Sequence, residues 1–224
     1  SILLCSHSLA LGTAAAQRYL CRYTELCGLE CYHRSQPRWQ AFDVKTEAQS
    51  AMVLVGLGSN QGESTDIVVA AIHALEAFAM ANSLRCSELF RSSPVNCPPD
   101  SGDFVNAAVT FEATNGLEPE TLLRELKRIE RDFGRAQNYE RNAPRELDLD
   151  LLLFDQQTRQ SEVFTLPHPR AVDRLFVLKP AAQLIPDAIW PGLDKSIARL
   201  LDELETDEEV YALEERPPFC VAVA

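Results

Sequence analysis

Met52-Val-Leu-Val-Gly-Leu57, running into Gly58-Ser59-Asn60, is the stretch on which the fold turns. A short continuous apolar run closed by Gly-Ser-Asn reads as a buried strand that ends in a turn. Downstream of Asn60 the apolar period alternates between helical and extended. Residues 66–81 carry Ile67, Ala70, Ala71, Ala74, Leu75 and Phe78 at helical spacing, one apolar face of an amphipathic helix. Residues 84–90 and 104–112 read as strands. Between them, residues 92–103 (SSPVNCPPDSGD) form a polar, Pro-rich loop. A loop of that length in a compact domain is usually functional.

Residues 118–133 give the clearest helix, with Leu122, Leu126, Ile129 and Phe133 on one face, Pro119 in the first turn and Gly134 as the stop. A polar stretch, residues 135–143, leads to a strand over 146–154. Further on, the reading is a turn at 155–159, a strand near 163–166, and helices over 172–184 and 196–204. The order strand, helix, strand, strand, helix, strand across 52–154 is that of a ferredoxin-like α+β sandwich, a mainly antiparallel sheet with helices packed on its faces.

Upstream of Met52 the composition changes. Residues 1–51 hold five bases against four acids and lack a sustained period beyond a short helical stretch at 14–26, whereas the whole 224-residue chain has a net charge of −12. They are read as an N-terminal extension, either an appended peptide or sequence translated upstream of a start at Met52. Residues 52–205 are then the domain and 206–224 an acidic surface tail. Cys27, Cys31 and His33 lack the second half of a zinc site, so the seven cysteines are taken as reduced thiols. The acidic balance argues against nucleic-acid binding. No apolar run approaches the ~20 residues of a spanning helix. A cytoplasmic monomer without membrane attachment is expected.

The chemistry concentrates in Arg141-Asn-Ala-Pro-Arg145-Glu-Leu-Asp148-Leu-Asp150-Leu-Leu152. In a strand, Asp148 and Asp150 emerge on one side, roughly 7 Å apart, while Leu147, Leu149 and Leu151 face the core. Paired carboxylates repel unless a cation sits between them, and Mg²⁺ suits one or two carboxylates plus phosphate oxygens. A solvated acidic face would look the same in isolation. Arg135, Arg141 and Arg145 shift the balance, because guanidinium groups bind phosphate in bidentate fashion.

This stretch resembles the signature of the 6-hydroxymethyl-7,8-dihydropterin pyrophosphokinases of folate biosynthesis. Gly58-Ser59-Asn60, Phe104-Val-Asn106-Ala-Ala-Val109, Glu130 with Arg135, Leu166-Pro-His168-Pro169 and Arg174-Leu-Phe176 keep the family's order. The resemblance implies transfer of pyrophosphate from ATP to the pterin hydroxymethyl group with release of AMP. It implies that Asp148 and Asp150 ligate two Mg²⁺ ions with bound ATP, and that Arg135 and Arg145 are catalytic. Glu130, Arg135, Arg145, His168 and Arg174 would lie on ATP; Ser92, Ser93, Val95, Phe104, Asn106 and Phe176 would hold the pterin. Phe104 stands where familiar members have Tyr, Asn142 where some have Trp, and Gln137 where a second loop arginine occurs. Two other classes stay open on the residues alone: a two-metal nucleotidyl transferase or cyclase, and a ferredoxin-like module that binds without turnover.

Overall fold

A computed structural model describes residues 50–95, 97–98, 101–134, 145–161, 164–215 and 217. The zinc-like cluster and nearly all of the 1–51 extension lie outside these residues. The first strand is β1, Met52–Ser59, followed by helix α1, Ser64–Leu75, and a single 3₁₀ turn, Glu76–Phe78. Strands β2 (Arg85–Cys86), β3 (Phe90–Ser92) and β4 (Phe104–Glu112) precede helix α2, Pro119–Asp132, and strand β5, Asp148–Phe154. The sheet runs β3-β4-β1-β5, every pair antiparallel. That is the split arrangement of the ferredoxin-like sandwich.

Each sheet face has its own core, because every central strand alternates apolar residues to both sides. Val53, Val55 and Leu57 of β1, with Val105, Ala107 and Val109 of β4 and Leu149 and Leu151 of β5, pack against α1 and α2. Leu54, Ala108 and Leu152 face the other way. They are covered by α3 (Leu175–Leu184) and α4 (Ile197–Asp202) through Leu178, Ala181, Ile197 and Leu200, with Trp190 beside them. Each fully buried Leu in these layers contributes about 1.5–3 kcal/mol of transfer free energy.

Several elements differ from the sequence reading. The strand expected over 84–90 is broken at Ser87 and Glu88. Ser87 Oγ accepts the backbone N–H of Ala108 at 2.9 Å, and Glu88 donates its N–H to Gln183 Oε1 at 3.0 Å, so polar side chains replace part of the ladder. The helix expected over 172–184 is a 3₁₀ turn, Ala171–Asp173, then α3, because Arg174 between them is extended. Of the strand expected near 163–166, Thr165–Leu166 pairs with Arg159–Gln160, and Val163 lies outside the described residues. Ser196 caps α4 by accepting from the Arg199 N–H at 3.2 Å. Within the segment expected to be surface tail, Val210–Ala212 pairs with β3 and adds an edge strand to the sheet. No helix among the described residues is long and apolar enough to cross a membrane.

Candidate active site

Two rows of residues cross the centre of the sheet. Gly58 is opposed by Asn106 on β4 and by Asp148 on β5, and Gly56 by Ala108 and Asp150. Directly opposed residues share a face, so Asn106, Asp148 and Asp150 rise from the side that α3 and α4 cover at its other end. Two strand spacings separate Asn106 from Asp148, about 10 Å. Between them the floor is bare backbone. A Cβ on Gly58 would stand 3.3 Å from Asn106 Oδ1 and 3.9 Å from Phe104 Cδ1, and one on Gly56 would stand 3.3 Å from Leu152 Cδ1.

On the β5 side the site is acidic. Burial pushes the Asp150 carboxyl above its ordinary pKa, and the neighbouring Asp148 charge pushes it the same way; Lys127, His168 and Arg145 pull against them. Burial also depresses His168, against the attraction of Asp150. A pair of half-buried carboxylates under mutual repulsion fits a hard cation with oxygen preference, since the cation relieves both causes at once. Among the described residues no group of three or more His, Cys, Asp or Glu is gathered as a protein cage. The donor set therefore suits Mg²⁺ held by carboxylates together with phosphate oxygens. His168 Nδ1 and Arg145 Nε are buried without a hydrogen-bond partner among the described residues, two polar atoms unspent beside the carboxylates.

Arg145 is held by its neighbours in the fold. Its backbone N–H donates to Asn60 Oδ1 at 2.8 Å and its carbonyl accepts the Asn60 N–H at 3.2 Å. The guanidinium reaches Asp148 Oδ2 at 3.4 Å and lies 6.0 Å from the Phe104 ring centroid. Asn60 Nδ2 also donates to the Gly102 carbonyl at 3.4 Å, joining the loop before β4 to the approach to β5. In the sequence Asn60 stands out only as part of a motif, with nothing to show this bridging role.

On the β4 side, Asn106 is 3% exposed and donates through Nδ2 to Ser92 Oγ at 2.9 Å. That bond orients the amide. Phe104 is half-buried opposite Ser92. Lys179 of α3 sits 5.7 Å from the ring of Phe90, the residue opposed to Asn106, and Phe176 is one helical turn earlier on the same side of α3. Arg174 lies 5.7 Å from the Phe176 ring and 3.8 Å from Glu208 Oε1. Ser93 is exposed and Val95 half-buried in the loop before β4. Arg135, Gln137, Arg141 and Asn142 fall outside the described residues.

In the fold Glu130, expected on ATP, lies against the backbone of β5. It is 2% exposed, and its Oε1 accepts from Lys127 Nζ at 2.7 Å and from the Leu149 N–H at 2.8 Å, so its carboxylate is engaged within the protein. Lys127, which also reaches the Leu149 carbonyl at 3.0 Å, is not legible as a site residue in the sequence; an i,i+3 Lys–Glu pair on a helix is too common a pattern.

The profile of the family described as 7,8-dihydro-6-hydroxymethylpterin-pyrophosphokinase matches residues 54–186, from β1 through α3. The chain belongs to that family. The 2-amino-4-hydroxy-6-hydroxymethyldihydropteridine pyrophosphokinase of Synechocystis is 36% identical over 152 residues, covering 68% of this chain and 75% of the relative. That of Pseudomonas aeruginosa is 39% identical over 139 residues, covering 62% of this chain and 83% of the relative. The solved wild-type HPPK-DHPS of Plasmodium falciparum shares the fold with a TM-score of 0.56 at 13% identity, over 69% of this chain and 44% of that one. This chain thus spans less than half of that larger protein.

Proposed function

We infer that this chain transfers pyrophosphate from ATP to the hydroxymethyl group of 6-hydroxymethyl-7,8-dihydropterin in folate biosynthesis, releasing AMP. The observation that carries the reading is the shared face of the central strands: Asn106, bonded to Ser92, stands two strands away from Asp148 and Asp150 over a glycine floor. A flat heterocycle with an amide-like edge meets donor and acceptor at one end of that floor, and polyphosphate meets carboxylate-held metal and arginine at the other.

In this reading the pterin hydroxyl oxygen bonds to the β-phosphorus of ATP, the bond from that phosphorus to the α,β-bridging oxygen breaks, and AMP leaves with that oxygen. The hydroxyl proton is released in the step. No protein nucleophile is required, so catalysis rests on position and charge. Mg²⁺, two ions by the family's pattern, supplies neutralisation of the phosphate charge when bound. Asp148 and Asp150 hold it. Arg145, fixed at its backbone by Asn60, presents its guanidinium beside Asp148 to the phosphoryl oxygens. Phe104 and Phe176 stack on the pterin faces, with Ser92 fixing the Asn106 amide and Ser93 and Val95 closing the edge. His168, Arg174 and Arg135 complete the ATP contacts. The domain is read as starting at 52 and running through the edge strand Val210–Ala212, acting in the cytoplasm as a monomer.

The test is product analysis with ATP, Mg²⁺ and the hydroxymethyl-dihydropterin. AMP formed one for one with pterin diphosphate is the expected result. ADP as the product, a cyclic nucleotide, or nucleotide turnover that ignores the pterin would sink the reading.

A further inference from the structure

The strand that bears Asp148 and Asp150 is the last in its sheet. β5 pairs with β1 on one side, and among the described residues no strand pairs with it on the other. An edge strand leaves backbone N–H and C=O groups without ladder partners. At Leu149 both groups are met by side chains from one turn of α2. The Leu149 N–H donates to Glu130 Oε1 at 2.8 Å, and the Leu149 carbonyl accepts from Lys127 Nζ at 3.0 Å. The two side chains are themselves joined at 2.7 Å, which closes a ring of three charge-assisted hydrogen bonds.

Leu149 is the residue between the two carboxylates. Its N–H belongs to the peptide unit it shares with Asp148, and its carbonyl to the unit it shares with Asp150. Both planes are therefore held from α2, and those planes set the direction of the two Cα–Cβ bonds. We propose that Glu130 and Lys127 are positioning residues that stand in for a missing neighbour strand, locking the peptide units on either side of Leu149 and so setting the spacing at which Asp148 and Asp150 grip a divalent cation. The proposal rests on the reading of those two aspartates as the metal ligands.

Edge protection alone does not account for the pair. An exposed lysine or a bulge blunts an edge at low cost, whereas a carboxylate buried to 2% exposure costs desolvation unless it is fully partnered. The expensive device is placed at the one residue flanked by both carboxylates. Partners that orient metal ligands without touching the metal change affinity by about 10–100-fold when removed.

The test is calorimetric binding of Mg²⁺ and a non-hydrolysable ATP analogue to the full chain, with thermal unfolding as a check on folding and pterin binding followed separately. Asp150→Ala should abolish the Mg²⁺ dependence of analogue binding; if it does not, the metal-ligand reading itself fails, whatever the clamp does. With that control in hand, Glu130→Ala should weaken Mg²⁺ by about tenfold or more while pterin affinity stays unchanged. Glu130→Gln, whose amide oxygen can accept both bonds, should restore most of the loss. Lys127→Met should fall between. Wild-type Mg²⁺ affinity in a folded Glu130→Ala protein overturns the proposal. So does an equal loss of analogue affinity with and without Mg²⁺, which would mean that Glu130 touches the nucleotide directly. Should Glu130→Ala fail to fold, Lys127→Met decides: its side chain is partly exposed, and unchanged Mg²⁺ affinity there overturns the clamp equally.

Discussion

Asn60 and Arg145 are joined twice, side-chain oxygen to backbone N–H at 2.8 Å and backbone N–H to carbonyl at 3.2 Å, across 85 residues of sequence. The residue directly after β1 thereby sets where the guanidinium beside Asp148 begins. Asn60→Ala removes the side-chain half of that link and the bond to Gly102. Since a misplacement of order 1 Å at a reacting centre costs roughly 10²-fold, kcat should drop by about that factor, with less change in the KM for ATP. Steady-state kinetics with both substrates checks it; equal effects on kcat and KM would deny Asn60 its positioning role.

Gly58→Ala tests the floor. The added Cβ meets Asn106 Oδ1 at 3.3 Å, tighter than ordinary contact, and Asn106 is held by Ser92 and cannot yield freely. Overpacking of this kind costs about 1–3 kcal/mol. The KM for the pterin should rise about tenfold or more while nucleotide binding stays near wild type, measurable by fluorescence titration of each ligand.

Asp150 should destabilise the protein that it serves. Its carboxyl titrates above the ordinary 3.8 because of burial and of Asp148, so the folded chain holds that proton more tightly than the unfolded chain does. The favourable contribution is complete below 3.8 and is lost as pH rises through the shifted value. Asp150→Asn has no such loss. In EDTA, the variant's Tm should therefore exceed wild type by a margin that grows as pH rises above 3.8. With Mg²⁺ and an ATP analogue the order should reverse, because ligand stabilises only the protein that binds it.

Removing residues 206–224 should cost stability and ATP affinity together. Glu208 Oε2 accepts the Leu175 N–H at 2.8 Å at the start of α3, Lys179 donates to the Val210 carbonyl at 2.7 Å, and Val210–Ala212 pairs with β3. Loss of the helix-capping bond alone is worth about 0.5–2 kcal/mol. Glu208→Ala, a milder change, should loosen Arg174 and weaken ATP with a smaller Tm shift. Full stability in the truncated chain would contradict this account of the edge strand.

Elements with strong local period are legible from sequence: β1, β4, α2 and β5 lie within two residues of their expected bounds. The paired aspartates are legible for the same reason, since alternation along a strand is the only geometry needed. What escapes depends on partners distant in sequence. Ser87 breaks a strand because Ala108 is beside it, and Val210 becomes strand because β3 has an open edge. The bonds of Glu130 to Lys127 and to the Leu149 N–H are set by how α2 docks along β5. An acidic tail and a helix ion pair carry no signal of such docking.

The backbone floor between Asn106 and Asp148 has a bearing on inhibition. A compound resting above Gly58 contacts peptide and not a side chain that substitution could trim away. Any β-carbon large enough to evict it would crowd Asn106 at 3.3 Å, the group proposed to recognise the natural substrate. Escape at this position is therefore coupled to loss of turnover, and drug resistance would have to arise from the surrounding loops.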